Sequence, residues 1–199
     1  MASKEVRRTM IMEAAIERFS RQGFHAAKIE DIAATAAIGK GTVYEYFSSK
    51  QHLFHDSLDY LLALYNEGLY GTMLSATDLN SGLRAFVDYQ MRAYDGSICL
   101  IQSLAAMPVS LTEELRLLWE RQQRETLLCL EKFMSRVMPI DDAKCRDGFA
   151  LAATVIYGSV NQYCLQRMFT GRASAHDHYS VDVLVQMIEH GVRGGSSNA

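Results

Sequence analysis

At 199 residues, 49% hydrophobic and 22% charged, the chain can bury one or two packed cores, and a net charge of −3 excludes a wholesale polyanion binder. The start Met1-Ala2-Ser3-Lys4-Glu5-Val6-Arg7-Arg8 lacks an apolar stretch, and no apolar run reaches membrane-spanning length, which predicts a cytoplasmic protein without a membrane partner. Cys99, Cys129, Cys145 and Cys164 form no C-x-x-C pair and read as buried, reduced thiols.

No segment shows useful strand-like alternation, so the predicted fold class is all-α. Helix one is predicted over Lys4 to Arg21, with Ile11, Ala14, Ala15 and Phe19 on one stripe and Gly23 stopping it. Helix two spans Ile29 to Ala36, and helix three spans Lys40 to Phe47, anchored by Val43 and Phe47. Ser48-x-x-Gln51 reads as a capping box opening a long helix four that continues to about Leu74. Helix five follows Asp78–Ser81, and a short helix covers Ile98 to Met107. Ser110-x-x-Glu113 reads as a second capping box, starting a long helix that ends before Pro139. Asp141 or Asp142 caps a helix running to Thr170, with Gly171 at its end. The last helix occupies His176 to Val192, and the tail Gly194–Ala199 is predicted to be mobile.

The division expected is a three-helix head with a helix-turn-helix over residues 1–50, then a helical body over 51–199. Residues 1–50 hold eight basic and six acidic side chains, leaving −5 on the remainder, so a basic head sits on an acidic body. A head of about 50 residues buries too little surface to stand alone and must lean on helix four.

The stretch Ile32 to Phe47 carries the functional signal. A short helix bearing Lys40, Gly41, Thr42, Tyr44 and Tyr46 suits a major groove better than a core. Thr42 and Tyr44 have hydroxyls able to reach base edges or phosphates, and Gly41 allows close backbone approach. Tyr46 and Lys50 flank the start of helix four, where free N–H groups favour a phosphate. Aromatic packing within the head stays open for both tyrosines, as does a solvated charge for Lys40.

Arg8-x-x-Ile11-x-x-Ala14-Ala15, Phe19, Gly23-Phe24, Ile32-Ala33, Gly39 to Phe47 and Lys50-x-x-Leu53 together resemble the TetR-like bacterial transcriptional regulators. The resemblance covers about residues 8–55 and implies a homodimeric repressor on a palindromic double-stranded DNA operator, released by a small-molecule inducer, with residues 1–50 as the DNA-binding head and 51–199 as the ligand-binding and dimerisation domain. The sequence departs from the family pattern at four places. Lys28 stands where the family has a Thr or Ser cap, and brings a cation that can meet phosphate. Ala37 replaces the turn glycine, Gly39 replaces the serine cap of helix three, and Glu45 puts a negative charge on the reading helix.

The last two helices are apolar around most of their circumference and need cover on both sides. A symmetric four-helix bundle built from Val155, Ile156, Val160, Val181, Leu184, Val185 and Ile188 answers that need; a central place in a monomer is the alternative. Phe86, Tyr89, Met91, Met107 and Trp119 suit either core or an apolar ligand pocket, which composition does not separate. A ligand acting through helix four would need a coupling of only about 1–3 kcal/mol to loosen DNA 5- to 150-fold.

His52-x-x-His55-Asp56 has zinc-compatible spacing but no third strong ligand nearby, and His176-x-His178 reads as solvated, so no metal is expected. No nucleophile triad, phosphate loop or hydrolase signature is present, so neither enzyme activity nor a cofactor is expected. The competing reading is a helical small-molecule-binding protein or enzyme that has lost DNA binding.

Overall fold

The structure, a computed structural model, describes residues 3–104, 109–138, 144–170 and 181–194, with side chains over 3–95, 113–138, 148–167 and 181–192. Among the described residues there are eight helices and no strand: α1 (Lys4–Ala26), α2 (Ile29–Thr35), α3 (Lys40–Tyr46), α4 (Lys50–Ser75), α5 (Leu79–Leu104), α6 (Val109–Val137), α7 (Lys144–Thr170) and α8 (Val181–Gly194). None of the described helices is long and apolar enough to cross a membrane. The chain divides into two compact units, one of residues 1–64 with 96–120 and the other of 65–95 with 121–199.

In the first unit, Ser3 caps α1 by accepting from the Val6 N–H. Gly23 takes φ 73° and ψ 168°, which interrupts the helix where the sequence predicts a stop, and a last helical turn follows it. Helix α2 ends in a Schellman motif: Ile38 N–H donates to Ala33 C=O at 3.0 Å and Ala37 N–H to Ala34 C=O at 3.1 Å. That motif needs a left-handed residue, and Ala37 supplies it at φ 53°. The core of this unit gathers Ile11, Ala15, Phe19, Phe24, Ile32, Val43 and Phe47 with Leu53 and Phe54 from α4. Phe54 meets Phe19 edge-on at 4.9 Å and Phe24 at 5.0 Å, so the start of α4 is part of the head's core, as its small size requires.

Several boundaries differ from the sequence expectation. The cap of α4 is Ser49, whose Oγ accepts from His52 N–H at 3.0 Å, rather than Ser48. The His52 ring reaches back instead of Gln51, its Nδ1 accepting from Ser48 N–H at 3.2 Å. The cap thus moved by one residue, and the imidazole satisfies the N–H of the residue before it rather than closing a reciprocal capping box. The separate helix expected over Ile98–Met107 is the continuation of α5 through Leu104, because the lone Gly96 costs only about 1 kcal/mol inside a helix. Helix α6 begins at Val109, so Ser110 lies inside it rather than before it. Met107, Asp141, Asp142, Gly171, His176, His178 and the tail after Gly194 lie outside the described residues.

The second unit packs Leu69, Met73, Leu83, Phe86, Val87, Leu130, Phe133, Met134, Ile156, Val160 and Val185 into one core. Asp78 and Ser81 cap α5 reciprocally: Ser81 N–H donates to Asp78 Oδ1 at 3.0 Å and Asp78 N–H to Ser81 Oγ at 3.3 Å. These donors hold the Asp78 carboxyl below its ordinary range. At the other end of α4, the Arg136 guanidinium donates to the carbonyls of Met73, Leu74 and Ala76, satisfying acceptors the helix leaves unpaired.

Candidate nucleic-acid interface

Helix α3 has two unlike sides. Val43 and its C-cap Phe47 are each 1% exposed in the head core, while Tyr44 is 47% exposed. Gly41 and Glu45 are also exposed, Thr42 is half-buried, and Tyr46 is half-buried against the head core. Nothing lies within 4 Å of where a Cβ on Gly41 would sit, so no neighbour within the described structure requires glycine there.

The flanking cations differ in their surroundings. Lys28 occupies the N-cap of α2, exposed and with no capping hydrogen bond from its side chain. Lys40 Nζ lies 2.6 Å from Glu30 Oε1, joining the first turns of α3 and α2. That hydrogen bond holds the Glu30 carboxyl below its usual range and the Lys40 ammonium above its own. Lys50 donates to the His25 carbonyl at 3.2 Å and stacks 4.7 Å over the Phe24 ring, and partial burial lowers its pKa. Of the seven predicted contact residues, Lys28, Gly41 and Tyr44 are thus the most open, Lys40 is paired, and Lys50 is held against the end of α1.

Sequence reasoning missed the acidic partner of Lys40, because ten residues and a turn separate the two. It also missed the bracing of the motif. Arg8 Nη2 reaches Asp56 Oδ2 at 2.5 Å, and His52 and His55 approach the same carboxylate at 3.1 and 3.4 Å. The Arg8 guanidinium lies 5.2 Å from the Phe47 ring centroid, so α1 and α4 together clasp the residue ending α3. The His52–His55–Asp56 group is therefore tied to Arg8. Arg18 adds a second brace, donating through Nε to Thr35 Oγ1 at 2.7 Å.

In the second unit, Phe86 is fully buried, and Tyr89 and Met91 pack half-buried against the same core. Trp119 belongs to the other unit and is 47% exposed, so it is not part of that unit's core. Near Phe86 runs a neutral polar network that composition did not reveal. Tyr65 OH donates to Gln90 Oε1 at 2.8 Å, Tyr89 OH to the Tyr65 carbonyl at 2.8 Å, and Tyr94 OH to Asn161 Oδ1.

The apolar helices α7 and α8 also divide. Ile156, Val160, Val185 and Ile188 are buried in their own unit, and Val181 and Leu184 pack against that core, so these side chains serve the chain itself. Val155 points outward. The exposed faces are Leu151 (67%), Val155 (52%), Val183 (36%) and Met187 (68%), a rotation from the predicted stripe set by the i, i+4 spacing.

Residues 11–56, which include α3 itself, the Arg18–Thr35 brace and Asp56, match the model of bacterial regulatory proteins of the tetR family. This head is a TetR-family domain. NicS, an HTH-type transcriptional repressor of Pseudomonas putida, is 34% identical over 89 residues, 43% of this chain and 42% of NicS. The chain thus spans about two-fifths of the length of that relative. Among solved structures, a protein of Mesorhizobium loti assigned to the TetR family superposes with a TM-score of 0.69 at 21% identity, over 98% of this chain and 96% of that one. The transcriptional regulator FadR from Bacillus subtilis, in complex with stearoyl-CoA, superposes with a TM-score of 0.64 at 14% identity, over 90% and 96% of the two chains. The all-helical fold beyond the TetR-family head is therefore also that of these regulators.

Proposed function

We propose that the protein is a homodimeric transcriptional repressor, with DNA bound through the TetR-family head and released when a small molecule occupies the second unit. The observation that carries this reading is the two-sidedness of α3, with Val43 and Phe47 buried and Tyr44 exposed beside Gly41. A short helix wedged from behind and open in front is what major-groove reading requires. Thr42 and Tyr44 are the base-edge or phosphate readers, Lys28 and Lys40 the flanking cations, and Gly41 the point of close approach. Tyr46 and Lys50 make the phosphate contacts at the α4 end, with Lys50 leaving the His25 carbonyl to do so. We divide the chain functionally at residue 50, with binding of ligand and partner assigned to 51–199.

The dimer forms through Leu151, Val155, Val183 and Met187, with Gly158 and Gly191 letting helices approach closely. FadR holds stearoyl-CoA in a like fold, which supports a ligand for this chain too. The aromatic and hydroxyl-bearing side chains around Phe86, Tyr89 and Met91 are where that ligand binds.

A gel shift with duplex DNA flanking the protein's own gene tests the reading. The wild type retards the duplex, Thr42→Ala with Tyr44→Ala does not, and binding weakens with salt at a log–log slope of about −0.9 per phosphate neutralised. Equal retardation by the double variant would refute the assignment of α3.

A further inference from the structure

We infer that Glu30 is a specificity-determining residue of the head, which penalises DNA offering phosphates alone by holding a carboxylate against Lys40. The inference rests on the DNA-binding reading above and concerns a residue which that reading leaves without a role.

Glu30 is the second residue of α2 and Lys40 the first of α3, so their 2.6 Å contact spans the helix-turn-helix at the end where α3 begins. Both side chains are more than half exposed. An exposed pair of this kind adds little to stability, so the fold does not depend on it. Lys28 is also close enough to Glu30 to add to the positive field around the carboxylate. The carboxylate is therefore held against one of the cations assigned to the interface and within the field of a second, and it offsets part of their attraction for a polyanion.

The consequence differs between kinds of DNA. On an arbitrary duplex the contacts go to phosphate oxygens, which carry no sequence information. Lys40 then either leaves Glu30, exposing a carboxylate to the phosphates, or brings it along; both weaken binding. On a site that presents a base amino group, as cytosine N4 does in the major groove, the same carboxylate can accept a hydrogen bond while still paired. Glu30 thus costs least where the sequence is right. A net acidic residue in a basic head lowers affinity overall and raises the ratio of specific to non-specific binding.

The test uses the full chain and fluorescence anisotropy over a range of salt concentrations. The two duplexes are the gene-flanking one retarded by the wild type and a random one of equal length. Glu30→Gln should tighten the random duplex about three- to tenfold per head and steepen its salt slope by about 0.9 per head, as Lys40 becomes free for phosphate. The flanking duplex should gain less, so the specificity ratio falls. In a Lys40→Gln background the same change should have little effect, and unchanged helicity by circular dichroism checks that each variant is folded. Equal tightening on both duplexes, no tightening on either, or an effect that persists without Lys40 would overturn the inference. Wild type that bound neither duplex would instead remove the DNA-binding reading on which it stands.

Discussion

Replacing Leu151 with Glu separates the proposed dimer face from the chain's own core. Leu151, Val155, Val183 and Met187 are 67%, 52%, 36% and 68% exposed, which leaves about two full apolar side chains of surface per protomer. A symmetric pair covers that surface twice, for roughly 6–12 kcal/mol at about 1.5–3 kcal/mol per side chain. Association costs on the order of 4–15 kcal/mol in lost freedom, so the pairing tolerates little loss at its centre. Leu151→Glu removes about two-thirds of a leucine's contribution twice over and desolvates two carboxylates, roughly 4–8 kcal/mol together. The dimer dissociation constant should therefore rise at least about a thousandfold. Sedimentation velocity at micromolar concentration should show wild-type dimer and Leu151→Glu monomer, with equal helicity by circular dichroism. The control is Ile156→Ala, at a fully buried position, which should cost about 2–5 kcal/mol of stability while the folded fraction still dimerises. A Leu151→Glu protein sedimenting as the wild type does, or a monomeric wild type, would refute the assignment of this face.

Ala37→Gly should stabilise the head by about 1 kcal/mol, since Ala37 holds φ 53° in a motif that favours glycine, and thermal unfolding followed by circular dichroism should rise by a few degrees. Gly82→Ala should destabilise the second unit by about 1–3 kcal/mol or more in urea titration, because a Cβ there would fall 1.9 Å from Phe133 Cζ. Alkaline stability should follow the buried thiols and phenols. Burial pushes the Cys164 thiol up to about 11 from an ordinary 9.0, and it raises Cys129, Tyr65, Tyr94 and Tyr157 as well. The folded state holds these protons more tightly than the unfolded chain, so the Cys164 contribution is complete below about pH 9 and is lost as pH rises toward 11, and the tyrosines add theirs only at higher pH. Urea midpoints should fall over that interval, and less steeply in Cys164→Ala; flat midpoints would contradict the burial of these groups.

Most helix positions were legible because local physics sets them. The apolar stripe Ile11, Ala14, Ala15 and Phe19 does face the head core, and Gly23 does interrupt α1 at positive φ. Val43 and Phe47 anchor α3 as their spacing predicted, and Asp78 and Ser81 start α5. Errors arose where several local solutions were nearly equal. Ser48 and Ser49 are both capable caps, and only the placement of the His52 ring selects the second. Helices apolar all round give no phase from sequence, so which side of α7 and α8 turned inward could not be read from Val155 and Ile156 being neighbours.

The sequence by itself determined an all-helical chain with a short reading helix near its start, because period, caps and glycine positions act within a few residues of where they stand. Tertiary structure alone decided which cations are already engaged. It paired Lys40 with Glu30, laid Lys50 over Phe24, set Arg8 on Asp56, and turned Leu151 and Met187 outward. Those outcomes depend on which helices become neighbours, and charges meeting across a turn leave no periodic trace in the chain.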